Sequence, residues 1–254
     1  MNTIAITSKV VFAKEDIIQL FDTPAACRYW LETAIANRLI ERVRRDLYAV
    51  IDPTTGSVYA NKYLIGSCIS PTACIAYHSA LEYHGLANQV YHIMYVSESR
   101  KFRPFEFADV EYEFVFNDNP KGIDQINYGA VLRVTGKERT LVDCIDKMKY
   151  SGGIEEVLNA LGSIRNIQED NLLEMLDHYD NIYLWQKAGY LLSMFKDELH
   201  LTGGFLNQMK VKTGDIKRYF LNGDGTDCVY YPDWKLYAPT YESLEAQLQG
   251  RSEA

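Results

Sequence analysis

Several things are missing from this chain of 254 residues, and each absence narrows what it does. No run approaches the roughly 18 consecutive apolar residues of a membrane span. The first residues, "MNTIAITSKVVFAKEDII", lack a basic stretch followed by a long apolar one, so export is not expected. The five cysteines (Cys27, Cys68, Cys74, Cys144 and Cys228) are scattered and odd in number, with no C-x-x-C. That pattern fits buried thiols in a reducing cytoplasm better than disulfides or zinc. Nothing matches a phosphate loop, a G-x-G-x-x-G turn or a G-x-S-x-G elbow. No internal repeat or low-complexity tract is present, and the case for an enzyme is weak.

Metal chemistry fares no better. His78 and His84 lie six apart, about 240° around a helix, so they do not share a face. Asp109, Glu111 and Glu113 sit on a strand-like run without the E-x-K of a metal-dependent nuclease, and read as a solvated strand face. "NGDGTD" lacks the ligand spacing of a calcium loop and reads as a hairpin turn. No cofactor is expected.

Positive charge is also scarce, with 34 Asp+Glu against 26 Lys+Arg and a net charge of -8. It is unevenly placed. Residues 1–52 hold seven of each sign, so the whole excess of negative charge lies in residues 53–254. Within "LIERVRRDLYAV", Leu39 to Val50, three arginines crowd together. Beyond a Debye length of about 8 Å the acidic remainder is screened, so a local basic element can still bind phosphate.

The elements around that knot have a definite order. "AKEDIIQLF" reads as a short helix with Ile17, Ile18, Leu20 and Phe21 on one side. A second helix follows, with Thr23 as N-cap, Pro24 at the first position and Asn37 as its end. Cys27, Trp30, Leu31, Ala34 and Ile35 recur at helical spacing toward a core; Ala25, Arg28, Tyr29, Glu32 and Ala36 face outward. "LIERV" and "LYAVI" then form a hairpin across "RRD". Helix, turn, helix and an arginine-tipped hairpin is the order of a winged helix-turn-helix. In that docking geometry the second helix enters the major groove N-terminus first, so Thr23, Ala25, Arg28 and Tyr29 face DNA. Arg42, Arg44 and Arg45 lie along phosphates or a minor groove.

"DPTTGSVYAN" reads as a linker into a second, mixed region. Expected there are a helix from Pro71 to Gly85 and strands around residues 90–97, at Val110–Phe116 and in "AVLRV". A helix opened by a Thr135/Glu138 capping box follows, carrying an Arg139–Asp143 ion pair. Three amphipathic helices come next, the last with Leu184, Ala188, Leu191, Leu192 and Phe195 on one stripe. Tyr230, Tyr231, Trp234 and Tyr237 are expected as core and edge packing, with a partner surface as the alternative reading.

"LIERVRRDLYAV", "ISPTACIAYHSALEYHGL", "LRVTGKERTLVDCI" and "DWKLYAP", in that order, resemble the AbiEi-type antitoxins of type IV toxin–antitoxin systems, over about residues 12–239. The resemblance implies a cytoplasmic α+β protein. Residues 1–52 would be the winged helix-turn-helix, and residues 58–250 a larger mixed antitoxin domain with a small sheet covered by helices. It implies a transcriptional autorepressor that binds inverted repeats in its own promoter, paired in abortive infection with a nucleotidyltransferase-like toxin. The family's DNA-contacting basic residues correspond to Arg28, Arg42, Arg44 and Arg45, with Lys14 a weaker addition. The sequence departs from the family in a shorter first helix and in Asp46, where glycine is usual in the wing turn. The rival readings are a protein-interaction module that no longer touches DNA, and a degenerate nuclease.

Overall fold

The computed structural model describes residues 2–220 and 228–249. The fold is α+β, and the chain divides into two compact units. One takes in residues 1–79 and 91–135, the other residues 80–90 and 136–254. These units are drawn differently from the expected domains 1–52 and 58–250, because the N-terminal module shares its unit with the main sheet.

That module begins with helix α1 (Asn2–Thr7), strand β1 (Val11–Ala13) and helix α2 (Lys14–Ile17), which runs into a 3-10 turn at Ile18–Leu20. Helix α3 (Pro24–Ala36) and the hairpin β2 (Ile40–Arg44) and β3 (Leu47–Val50) follow. The strands form an antiparallel sheet in the order β1-β3-β2. Ile6, Phe12, Ile17, Cys27, Leu31, Ile40 and Tyr48 are buried together as one core. The expected single helix over "AKEDIIQLF" is broken in two, and only Ile17 of its apolar residues is buried. Asp46 takes φ 60, the left-handed conformation that glycine supplies more often and that Asp tolerates.

The segment after the hairpin is not an open linker. Asp52 N–H donates to Ser57 O at 2.8 Å and Tyr59 N–H to Val50 O at 2.9 Å, closing it into a loop that continues the hairpin.

Helix α4 (Lys62–Ser67) then lies on the main sheet. A Cβ at Gly66 would come within 2.7 Å of Ile75 Cδ1, so any larger residue here forces that buried side chain to shift. Strand β4 (Cys74–Ile75) precedes helix α5 (Tyr77–Tyr83), which corrects the expected helix from Pro71. The apolar run "ACIAY" suits either state, and pairing with its neighbours draws its first half into the sheet. β5 (Ile93–Glu98), β6 (Phe105–Phe107), β7 (Val110–Phe116), β8 (Ile123–Asn127) and β9 (Val131–Thr135) complete six strands, in the order β6-β7-β5-β4-β9-β8.

The second unit is mostly helical: α6 (Lys137–Asp146), α7 (Ile154–Ser163), α8 (Glu169–His178), α9 (Ile182–Met194) and α10 (Gly203–Val211). β10 (Arg218–Tyr219), β11 (Val229–Tyr231) and β12 (Leu236–Ala238) form a small sheet, and α11 (Tyr241–Gln249) ends the description. The turn expected within "NGDGTD" lies outside the described residues.

Two expectations fail here for physical reasons. α6 is capped at Gly136, not Thr135, and Glu138 accepts instead from Gln168 N–H at 2.9 Å. α9 is buried on every side from Leu184 to Leu192, not along one stripe. The side-chain nitrogens of its two polar residues are paired. Gln186 Nε2 donates to the carbonyls of Thr213 and Ile216, and Lys187 Nζ to those of Ile145 and Asp146 at 2.7 and 2.8 Å.

Candidate nucleic-acid interface

Helix α3 is fixed from behind and open in front. Thr23 Oγ1 accepts from Ala26 N–H at 3.1 Å, and Pro24 occupies the first position without losing a hydrogen bond. Cys27, Leu31 and Ala34 are buried, and Trp30 packs on Phe21 with ring centroids 5.9 Å apart. Burial raises the Cys27 thiol pKa, with Lys14 working against it, so the thiol is a packing group. Ala25, Arg28, Tyr29 and Glu32 are exposed, Tyr29 at 73%. Ile35, expected inward, is exposed instead.

The hairpin follows α3 after only three residues, Asn37 to Leu39. Arg42 is exposed, its Nε donating to Arg44 O at 3.4 Å. The Arg45 side chain is 88% exposed and meets Asp46 at 3.3 Å, a surface pair of small energetic weight. Lys14 N–H donates to Asp46 O at 2.9 Å, tying the turn to the start of α2.

Arg44 goes elsewhere. Its guanidinium lies 5.0 Å from the centroid of Phe105 and 5.5 Å from that of Phe102, and burial lowers its pKa. One of its nitrogens, Nη1, is buried without a hydrogen-bond acceptor. Of the three hairpin arginines, Arg42 and Arg45 stand in solvent, whereas Arg44 fastens the hairpin to the main sheet. All three were expected along phosphates or a minor groove; Arg44 is turned to the aromatic rings instead.

The residues weighed for other chemistry are dispersed. Asp109 occupies the turn between β6 and β7 at φ 59, Glu111 is exposed opposite Glu106, and Glu113 is half-buried. Among the described residues, no group of three or more His, Cys, Asp or Glu is placed to hold a metal. His78 is buried and stacked on Tyr91 at 4.0 Å. Arg139 and Asp143 form the expected pair at 3.4 Å, 1% and 0% exposed, and the Tyr179 hydroxyl donates to Asp143. Trp234 is buried and Tyr231 packs on Tyr190 and Tyr241, whereas Tyr230 and Tyr237 lie on the other face of the small sheet.

Sequence reasoning missed two features of the first unit. One is the aromatic seat of Arg44, for which "KFRPFEF" was the available signal. The other is a cleft of about 630 Å³, whose lining includes Lys9, Asp16, Cys68, Ser70, Asn127 and Arg133, far apart in sequence. Burial pushes the Cys68 thiol pKa up to about 11, which makes it a poor nucleophile at neutral pH. No described helix is long and apolar enough to cross a membrane.

No protein-family model matches the chain, and neither does any curated protein. Among solved structures it is similar to the crystal structure of the RV2827C protein from Mycobacterium tuberculosis, with a TM-score of 0.65 and 14% identity. The match covers 97% of this chain and 93% of that one, and at such identity it speaks to fold alone.

Proposed function

We propose that the chain is a cytoplasmic DNA-binding autorepressor that serves as the antitoxin of a type IV toxin–antitoxin pair. In this reading the N-terminal module is a winged helix-turn-helix, and a nucleotidyltransferase-like toxin is the functional partner. The observation that carries DNA binding is the outward face of α3. Arg28 and Tyr29 stand exposed in its first half, with Arg42 and Arg45 exposed on the hairpin that follows. The element order and the sheet order β1-β3-β2 support the same reading.

Each group then has a physical task. α3 enters the major groove N-terminus first, where Arg28 reaches base edges and Ala25 and Tyr29 lie against the groove wall. The first turn of α3 and the Thr23 hydroxyl meet a phosphate, favoured by the helix dipole. Arg42 and Arg45 lie along the backbone, where each neutralised phosphate contributes about -0.9 to the slope of log K against log salt. Arg44 acts indirectly, by holding the hairpin. The acidic residues concentrated beyond residue 52 oppose this weakly across a screened distance.

Gel shifts with the protein's own upstream DNA over a salt series test the reading. Arg42→Glu with Arg45→Glu weakens binding to every duplex, whereas Arg28→Ala also relaxes sequence preference. Absence of any shift at low salt removes the repressor claim and favours a module that contacts only protein.

A further inference from the structure

The small sheet of the second unit has two unlike faces. β12 is its centre, parallel to β10 with Tyr219 opposite Tyr237, and antiparallel to β11 with Tyr230 opposite Tyr237. One face packs inward: Leu236 and Ala238 are buried, as is Trp234 just before β12. Tyr231 belongs to that side, with its ring on Tyr190 and Tyr241 and its hydroxyl donating to Pro239 O at 3.2 Å.

The other face carries Tyr219, Tyr237 and Tyr230 side by side, one from each strand. The ring centroids of Tyr219 and Tyr237 are 4.8 Å apart with an interplanar angle of 17°, and those of Tyr230 and Tyr237 are 4.9 Å apart at 40°. The spacing is close to that between adjacent strands, so the sheet itself sets the stack. Tyr219 is 49% exposed on an edge strand, and the three hydroxyls make no hydrogen bond among the described residues. Lys217 Nζ sits 4.7 Å over the Tyr230 ring. Nearby lysines are already engaged, Lys210 with Asp233 and Lys212 with Asp177, each at 2.7 Å, whereas Lys217 meets no carboxylate among the described residues.

We infer that this tyrosine ladder is a stacking platform for single-stranded nucleic acid. A base continues the stack on the open side of Tyr219, and the Lys217 ammonium, at the Tyr230 end of the ladder, meets a phosphate farther along the strand. The outer face of Tyr219, backed by the stacked Tyr237 ring, is a π-face that any base can use, so binding is tolerant of sequence. A duplex keeps its base faces buried against each other and cannot use the platform. The site is separate in sequence and unit from α3 and the hairpin, so it does not depend on operator binding.

Fluorescence anisotropy of the full chain with labelled 12-mers of rU, dT and a mixed duplex tests the inference. Both single strands bind at low salt, and any preference between them reports on contacts to the 2′-hydroxyl. Tyr219→Leu weakens single-strand binding roughly tenfold, and Tyr219→Phe, which keeps the ring, restores it. Lys217→Glu flattens the salt dependence by about 0.7 per lost phosphate contact. Arg28→Ala leaves single-strand binding unchanged, which separates this site from the proposed operator surface. Thermal melts check that Tyr219→Leu folds; should it not, the solvent-facing Lys217→Glu carries the test. The inference is overturned if neither strand binds, if both the Tyr219→Leu and Lys217→Glu proteins bind as the parent does, or if the duplex competes equally.

Discussion

Replacing Arg44 by alanine separates anchoring from DNA contact. The side chain makes two cation–π contacts, at 5.0 and 5.5 Å, in a half-buried position. Such contacts contribute about 0.5–1 kcal/mol when exposed and about 2 when desolvated, so the pair is assigned about 2 kcal/mol. Part of this is offset, because the substitution also removes the buried nitrogen that lacks an acceptor, itself a destabilising feature of about 1 kcal/mol. The net loss expected is about 1–2 kcal/mol. With a urea m-value of about 2 kcal/mol/M, the unfolding midpoint of the first unit falls by about 0.5–1 M. Arg45→Ala, which loses only an exposed pair with Asp46, stays within about 0.5 kcal/mol of the parent. Arg44→Lys falls between, since an ammonium lacks the planar group that stacks on rings. Pairing Arg44→Ala with Phe105→Leu gives a coupling above about 0.5 kcal/mol. The reasoning is refuted if Arg44→Ala is as stable as Arg45→Ala yet loses a full phosphate's share of the DNA salt slope.

Three further outcomes are expected. Thr23→Ala removes the cap of α3 and costs about 1 kcal/mol in thermal or urea unfolding, whereas Thr23→Asp largely preserves it. Gly189→Ala places a Cβ 2.2 Å from the Trp234 ring, so about 3 kcal/mol is lost from the second unit, followed through Trp234 fluorescence. Glu98 is buried, which favours protonation, but hydroxyls of Ser70 and Thr72 and the N–H groups of Ser99 and Arg100 donate to its carboxylate and hold its pKa below the ordinary 4.5. Its stabilising contribution is therefore full above pH 4.5 and lost as pH falls through the lower folded value. Glu98→Gln costs about 2 kcal/mol at pH 7 and flattens the acid side of the stability profile; an unchanged profile disproves the assignment.

Local rules were readable where neighbours in sequence decide the outcome. The Thr23–Pro24 start, the Asn37 end, the hairpin and the Val110–Phe116 strand need only nearby residues, and all stand as expected. The α+β class follows from the same elements. Errors arose where distant partners decide. Arg44 leaves the solvent because Phe102, just before β6, and Phe105, at its start, arrive from about sixty residues on. Gln186 and Lys187 interrupt an amphipathic pattern yet are buried, because carbonyls of other segments accept from them. Cys74–Ile75 joins the sheet because its neighbours supply backbone partners. Among the candidate DNA contacts, exposure of Arg28, Tyr29, Arg42 and Arg45 was legible from periodicity and turn chemistry. The tyrosine ladder was not, since its register depends on pairing between strands.

Hydrogen exchange of the full chain, with and without a duplex from its own upstream region, bears most directly on operator binding. Slowed exchange confined to residues 23–33 and 40–48 is the predicted result, lost in Arg28→Ala at moderate salt. Unchanged exchange in those segments while the duplex is bound, or protection falling instead on the second unit, would contradict it.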